Sequence, residues 1–381
     1  LVSRDQLVWR WQDDQQWGSL SAEALLTSTD RCLVPPGFRP RFVLAEGLQM
    51  AVAGYAAWHW DLTQSRQPRL VLTHGRFVFR ASDAWKDPVL VSAAGREGWL
   101  HFSDKESEVA LEVWNYLAPG KDPRKQNRQT AVRIYQSAGG VWTEQVADLT
   151  NDNSEAIVLS RGLATQALEH TTLDMMPDWT VGPGKDPSFE AAAVTELAES
   201  IKSDQPLVIQ LQECQANHRL HEVRALAARS LAVIGHYDAI MDSFHDKSYR
   251  ASWEKHVLLL HDLISRDVET AVQVQEAFER QRGDEAQQLF RLLWGYDADQ
   301  LDATSARELV ACLSHESTDV RVLAFLNLKR ITGKTQLFFP EKPISQQATA
   351  IRGWTRLLDE GAITHVQDPT PWDRSTDASS P

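Results

Sequence analysis

The sequence predicts an α+β chain in two parts: an N-terminal antiparallel β sandwich or jelly roll, then a C-terminal array of helices. Three observations carry this. Ten of the 14 tryptophans lie between Trp9 and Trp179, in a stretch of short β-prone runs broken by a turn roughly every 8–12 residues. Helical periodicity takes over from Ser188. Between the two, Met176–Pro187 holds three prolines and two glycines, a density that neither helix nor strand survives. The predicted division is therefore residues 1–175 for the β domain, 176–187 for a linker, 188–362 for the helical domain and 363–381 for a disordered tail.

The strands follow in order. A helical turn around Ser21–Leu26 precedes them. Leu70–Leu72 and Phe77–Phe79 flank Thr73-His74-Gly75-Arg76, read as a hairpin turn in which glycine supplies positive φ. Val89–Ala94 and Trp99–Ser103 flank a second hairpin at Gly95–Gly98. From Val109 the alternation sends Val109, Leu111 and Val113 one way and Ala110, Glu112, Trp114 and Tyr116 the other. Ala131–Tyr135 and Val141–Val146 bracket Gly139-Gly140 as a third hairpin, and Ile157–Ser160 with Leu163–Leu168 make the last.

The helices begin with Ser188 as cap of a segment to Lys202, and Pro206 opens the next. Glu222–Ile234 places Val223, Leu226, Ala227, Leu231 and Ile234 on one stripe, ended by Gly235. Further helices are expected at Ser252–Ile264, Val268–Gln281, Asp284–Trp294, Ser317–Ile331 and Ser345–Glu360. Ser305 with Glu308 forms a capping box for a helix through Leu313.

Two of these helices repeat one another. Glu222-Val223-Arg224-Ala225-Leu226-Ala227 aligns with Asp319-Val320-Arg321-Val322-Leu323-Ala324 at an offset of 97 residues, and Leu231 and Ile234 then meet Leu328 and Ile331. An acidic first residue suits the helix dipole, and the arginine is placed to bridge to a neighbouring helix. EVRALAARSLAVI and DVRVLAFLNLKRI resemble the second helix of HEAT-type repeats, which run about 40–47 residues. Within the β part, LVLTHGRFVFR at Leu70–Arg80, EVALEVWNYLAPGKD at Glu108–Asp122 and Val132–Trp142 look like periplasmic FecR-type sensor domains. The whole is similar to planctomycete-type bacterial proteins that join such a domain to HEAT-like helices. Thr332-Gly333-Lys334, Phe338-Phe339-Pro340 and Gly353-Trp354 are similar to the end of those helical regions. The resemblance implies an extracytoplasmic segment of a membrane-anchored regulatory protein and brings no catalytic residues with it.

The chemistry is bounded by exclusion. The formal net charge is −13, with no basic run, so a nucleic-acid partner is not expected. Cys32, Cys214 and Cys312 are odd in number and far apart, which gives no disulfide framework and no paired-cysteine metal site. The longest apolar stretch, Leu48 to Trp60, is broken by Gln49, Gly54 and His59 and is too short to cross a bilayer. Leu1 opens the chain without a charged leader, and the chain is read as a piece of a longer protein.

Cys214, His218 and His221 would share a face of one continuous helix, but a helix junction at Asn217-His218 makes them a surface histidine pair near an ordinary cysteine rather than a metal site. His256 and His261 read as helix-surface residues. Thr332-Gly333-Lys334-Thr335 lacks the earlier glycine and the entering strand of a phosphate loop, and Gly182-Pro183-Gly184-Lys185 lacks strand and helix alike. No Gly-x-Ser-x-Gly elbow occurs. Carboxylate pairs such as Asp13-Asp14 or Asp152 with Glu155 are ordinary in an acidic chain. Pro-Gly-Lys-Asp-Pro occurs at Pro119–Pro123 and Pro183–Pro187, two turns rather than a duplicated recognition loop.

Trp58 and Trp60, two apart in a strand, are the candidate ligand-binding residues, as a platform for sugar stacking or as core; Trp9 and Trp11 share that spacing. The reading is a non-catalytic interaction, scaffold or sensor protein with a protein partner, no cofactor and no metal. Its rivals are a carbohydrate-binding β module that takes a polysaccharide, and a hydrolase. Arg224 and Arg321 are expected to be structural bridges.

Overall fold

The computed structural model describes residues 6–12, 16–21, 24–27, 30–61, 68–82, 85–103, 107–125, 129–137, 139–144, 155–161, 168–172, 176–181 and 189–366. They separate into two compact units. The first comprises residues 1–115 and 129–234, the second residues 116–128 and 235–381. The border at Ile234 lies well past the Pro/Gly-rich segment, so the first three helices belong with the strands. The chain is α+β in two parts, as the composition shift predicts.

Among the described residues thirteen strands form one mixed sheet in the first unit: β1 (Trp9–Trp11), β2 (Trp17–Ser19), β3 (Arg31–Val34), β4 (Arg41–Ala45), β5 (Leu48–Asp61), β6 (Arg69–Ala81), β7 (Val89–Ala93), β8 (Arg96–Phe102), β9 (Glu108–Tyr116), β10 (Gln129–Gln136), β11 (Gly140–Glu144), β12 (Glu155–Arg161) and β13 (Leu168–Thr172). Its spine is the long antiparallel ribbon of β5 and β6. Halfway along, the β5–β6 register shifts between Ala53 and Ala57, where Gly54 and Gly75 both take positive φ. There the sheet forks. One branch adds β3, β1 and β2 to the far half of β5, and β7, β8 and β11 to the near half of β6. The other adds β4 to the near half of β5, and β9, β10, β12 and β13 to the far half of β6.

Three sequence expectations change here. Gly75 is a bend inside one continuous strand, not a hairpin turn; a Cβ there would run into Ala56 of the partner strand. Positive-φ glycine carries the same signature in a bulge as in a turn. Gly139 does not close a hairpin either, because β11 pairs with β8 while β10 pairs with β12, so that turn passes the chain from one branch to the other. The sheet is also not purely antiparallel, since β6 and β7 run parallel. The Gly95 hairpin is present as read; the last pair is β12 with β13, whose second strand is Leu168–Thr172 instead of the expected Leu163–Leu168, residues 162–167 lying outside the described residues. Residues 21 and 24–27 are not helical, and Ala22 and Glu23 lie outside the described residues.

The branches share a core. Trp58 of β5 meets Phe42 of β4 and Phe77 of β6 edge-on, with centroids 5.1 and 6.1 Å apart. Rings packed in this way gain quadrupole attraction beyond their buried area. Against the sheet lie α1 (Phe189–Ser200), α2 (Leu207–Asn217) and α3 (His221–Val233). A Cβ on Gly37 would come within 3.2 Å of Val194 and 3.3 Å of Leu226, which shows how closely α1 and α3 approach that loop. Helix α3 is buried on nearly all sides from Ala225 to Val233, and its alanines leave room for neighbours. Ser188 and the second Pro-Gly-Lys-Asp-Pro copy lie outside the described residues, as do residues 367–381 of the expected tail.

The second unit holds α4 (Asp238–Asp242), α5 (Trp253–Arg266), α6 (Val268–Arg282), α7 (Ala286–Leu293), α8 (Ala303–Cys312), α9 (Thr318–Thr332) and α10 (Ala348–Asp359). Helix α4 has no counterpart in the sequence reading. The cap of α8 is Asp302, whose carboxylate accepts from the amides of Thr304 and Ser305 at 3.0 and 2.8 Å. The helix therefore begins before the expected Ser305 box. At the centre, α9 packs on α5, α7 and α8 and ends in the left-handed Gly333. The segment 116–125 belongs to this unit: the Gly120 amide donates to the Trp294 carbonyl at 3.1 Å, Gln300 returns a bond to the Gly120 carbonyl at 2.8 Å, and Lys121 pairs with Asp297. Arg124 lies over the Phe290 and Trp294 rings. The first Pro-Gly-Lys-Asp-Pro copy is thus a docked turn.

Candidate functional site

The acid-Val-Arg motif that opens α9 builds the most organised polar junction of the second unit. Asp319 is 2% exposed and accepts from Arg282 Nε at 2.6 Å. Arg282 also donates to the carbonyls of Met241 and Gln281 and bonds His245 Nδ1 at 3.0 Å, so one guanidinium ties α4, α6 and α9. Burial pushes the Asp319 carboxyl above its ordinary pKa, while Arg282 and then His245 pull it back. Arg321, two residues on, is spent on backbone: it donates to the carbonyls of His315 and Glu316 at 2.7 Å each and of Pro340 at 3.0 Å. Arg321 is the structural bridge the sequence suggested, reaching a loop instead of a neighbouring helix.

That loop, between α9 and α10, is where the junction points outward. Phe338 is buried against Phe325 at 5.5 Å, and the Phe339 amide donates to Gln347 Oε1 at 3.2 Å. The Pro340 carbonyl is held by Arg321. Just ahead of these anchors, Gln336 and Leu337 take φ of 49° and 54°. Left-handed backbone costs a non-glycine residue about 1–2 kcal/mol, and consecutive strained residues persist only where surroundings over-determine them. Leu337 is 76% exposed and Phe339 is also exposed, with Lys342 Nζ 4.1 Å above the Phe339 ring. A strained turn thus presents two apolar side chains and a lysine to solvent on a fixed frame.

The sequence-predicted site residues fare differently. Trp58 is 1% exposed, locked between Phe42 and Phe77, so it offers no face to a ligand. Trp60 is half-buried, and the pair does not form the expected platform. Trp9 is buried, whereas Trp11 is exposed and meets Trp17 edge-on at 5.1 Å. Cys214 and His218 are split by the end of α2, where His218 is already extended. His218 Nδ1 accepts from the Leu220 amide at 3.2 Å, and His221 begins the next helix. Among the described residues no group of three or more His, Cys, Asp or Glu could hold a metal ion. Lys334 follows the α9 cap, its amide donating to Thr332 Oγ1 at 3.2 Å, in a helix exit with no phosphate-loop geometry.

One constellation escaped the sequence reading. His256 is fully buried, not a surface residue, and its Nδ1 lies 2.7 Å from Ser243 Oγ. The serine hydroxyl also lies 2.6 Å from the Ile240 carbonyl, and the pair fastens the end of α4 to α5. The period-five spacing of His256 and His261 gave no hint, since burial depends on how α5 is rotated against its neighbours. Burial disfavours the thiolate at each cysteine. Burial, with Asp30 adding to it, pushes Cys32 up to about 12, and burial raises Cys214 and Cys312. Among the described residues no helix is long and apolar enough to cross a membrane.

Compared with known proteins, the chain matches no family model, no curated protein and no solved structure.

Proposed function

We propose that this chain is a non-catalytic interaction and scaffold region that docks a protein partner through the α9–α10 loop. The observation that carries the reading is Leu337: an exposed leucine in left-handed backbone just ahead of the buried Phe338. The Phe338 amide closes this turn on the Thr335 carbonyl at 3.0 Å, and a turn fixed in this way holds its side chain out to solvent, where loops carry recognition. The resemblance to HEAT-like arrays and to FecR-type sensors supports the same reading, in the setting of an extracytoplasmic regulatory protein with a membrane anchor outside this chain. The Asp319–Arg282 tie between helices suits a stacked array, and Trp58 bridging two branches suits a sandwich.

The test is a photo-crosslinking amino acid at position 337 in the chain expressed in its native host. One protein is expected to be captured, and its capture is expected to be lost when Phe339 is changed to Asp. Leu337→Gly supplies the complementary measurement, because glycine relieves the strain. Stability in urea should rise by about 1 kcal/mol while crosslinking from position 339 disappears. Unchanged capture in both variants would remove the loop from the interface. The carbohydrate reading keeps one observation in its favour, the exposed Trp11 beside Trp17. Binding to soluble polysaccharide that is abolished by Trp11→Ala would establish it.

A further inference from the structure

The segment Met176–Val181 is not an open linker. It forms a single 3-10 turn, Asp178–Thr180, after Pro177, closed by Thr180 Oγ1 and N on the Pro177 carbonyl at 2.8 and 2.9 Å. The turn lies on β6, β9 and β10. Its indole, Trp179, sits under the Arg76 guanidinium at 5.5 Å and edge-on to Tyr135 at 5.8 Å, above Val78 and Ala110. A short helical turn leaves its last carbonyls without internal partners, and here they go to arginines. Arg80 Nη2 donates to the Thr180 carbonyl at 2.9 Å, and Arg39 Nη1 lies 3.4 Å from the carbonyls of Trp179 and Val181.

The cradle is prepared for such a guest. Glu112 and Glu108 hold Arg76 and Arg80 by ion pairs at 2.8 and 2.5 Å, which fixes both guanidinium groups before anything lies on them. Arg39 is disfavoured as a cation by burial and by Arg76, with Glu190 opposing, and carbonyl dipoles relieve that repulsion. Arg39 and Arg80 read main chain, while Arg76 and Tyr135 form the one pocket that reads a side chain, the aromatic one. This division of labour, backbone for affinity and one pocket for specificity, is how grooves recognise peptides.

We infer that the face formed by Arg39, Arg76, Arg80 and Tyr135 is a recognition groove for a tryptophan-bearing peptide turn, filled in this chain by its own Met176–Val181. The groove lies in the sheet unit and the docking loop above in the helical unit, so either reading stands if the other fails. A partner presenting a tryptophan on a tight turn with its final carbonyls free would compete with the resident segment. Self-occupancy lowers apparent affinity by the fraction of time the groove is empty.

The experiment uses the full chain and a capped, fluorescein-labelled peptide of the sequence Met-Pro-Asp-Trp-Thr-Val. Anisotropy is measured on wild type, on Trp179→Ala, and on Trp179→Phe as a milder variant that keeps a ring in the groove; folding of each is checked by near-ultraviolet dichroism. Binding to the folded variants at least about tenfold tighter than to wild type, and lost when the peptide's tryptophan is replaced by alanine, is the expected result. Arg80→Gln in the Trp179→Ala background is expected to weaken it further. Folded variants that bind neither peptide, or both alike, would overturn the groove.

Discussion

The two units differ in how often their arginines reach main chain. On the sheet, arginines pair with carboxylates: Arg76 with Glu112, Arg80 with Glu108, and Arg69 with both Asp61 and Glu97. Among the helices carboxylate pairs occur too, as in Arg266 with Asp267 and Arg280 with Asp238, but three arginines also serve backbone carbonyls: Arg321 three, Arg282 two, Arg291 that of Gly295. The cause is the backbone. A paired strand has its carbonyls satisfied by its neighbours, so a long cation crossing it finds only side chains. Helix ends and the loops between helices leave carbonyls open, and a cation there completes the hydrogen-bond inventory of buried main chain. The exception on the sheet confirms the rule, since Arg39 and Arg80 turn to carbonyls only where the single helical turn at Asp178–Thr180 supplies them.

This contrast is open to measurement by unfolding in urea. Trp58→Ala sets the scale, because it empties the shared core of the sheet branches and should cost about 4 kcal/mol; Trp60→Ala, half-buried, should cost well under half of that. Next comes Arg282→Met, expected to cost about 3 kcal/mol because it leaves Asp319 as a buried, unpaired charge. Asp319→Asn should cost less, since Arg282 keeps the carbonyls and His245. The folded pKa of Asp319 is raised, so the stability it contributes is full below the unfolded carboxylate pKa of about 3.9 and is lost as pH rises through the folded value. Asp319→Asn should flatten that part of the profile.

Smaller effects sharpen the comparison. Asp267 caps α6 by accepting from the Thr270 amide at 2.6 Å, and Asp267→Ala should cost about 1 kcal/mol. Its pKa is lowered because hydrogen bonds from Thr270 and Arg266 together outweigh burial, the largest single influence, which raises it. The capping contribution is therefore present above the unfolded pKa and lost as pH falls through the folded one. Smallest is Arg80→Gln in the otherwise unchanged chain, where a partly exposed ion pair should contribute about 0.5 kcal/mol. If Arg80→Gln proved as costly as Arg282→Met, the contrast between a partly exposed and a buried arginine–carboxylate pair would be broken.

The helices were legible because their signals are local. Pro206 and Gly333 mark a start and a stop in sequence and in structure, and the apolar stripes of α5, α6 and α9 need only period 3.6. Strand existence was legible for the same reason, as at Val89–Ala93. Strand partners were not. Gly75 and Gly139 look alike as residues, yet one bends a strand and the other changes branch, a distinction made by β5 and β8 far away in sequence. The site residues were the least legible. Leu337 belongs to no motif, and its interest lies in a backbone angle imposed by Arg321, Phe338 and Gln347 together. Trp58 and Trp60 share a spacing, while the edge-on rings of Phe42 and Phe77 bury only the first.

The fork at Gly54 and Gly75 has a mechanical meaning. Since one two-stranded ribbon runs through both leaves of the sheet, the leaves are joined by continuous chain and by the aromatic core around Trp58. Amides on β5 and β6 should then exchange with solvent only in the global opening of the sheet, at one common rate on either side of the kink.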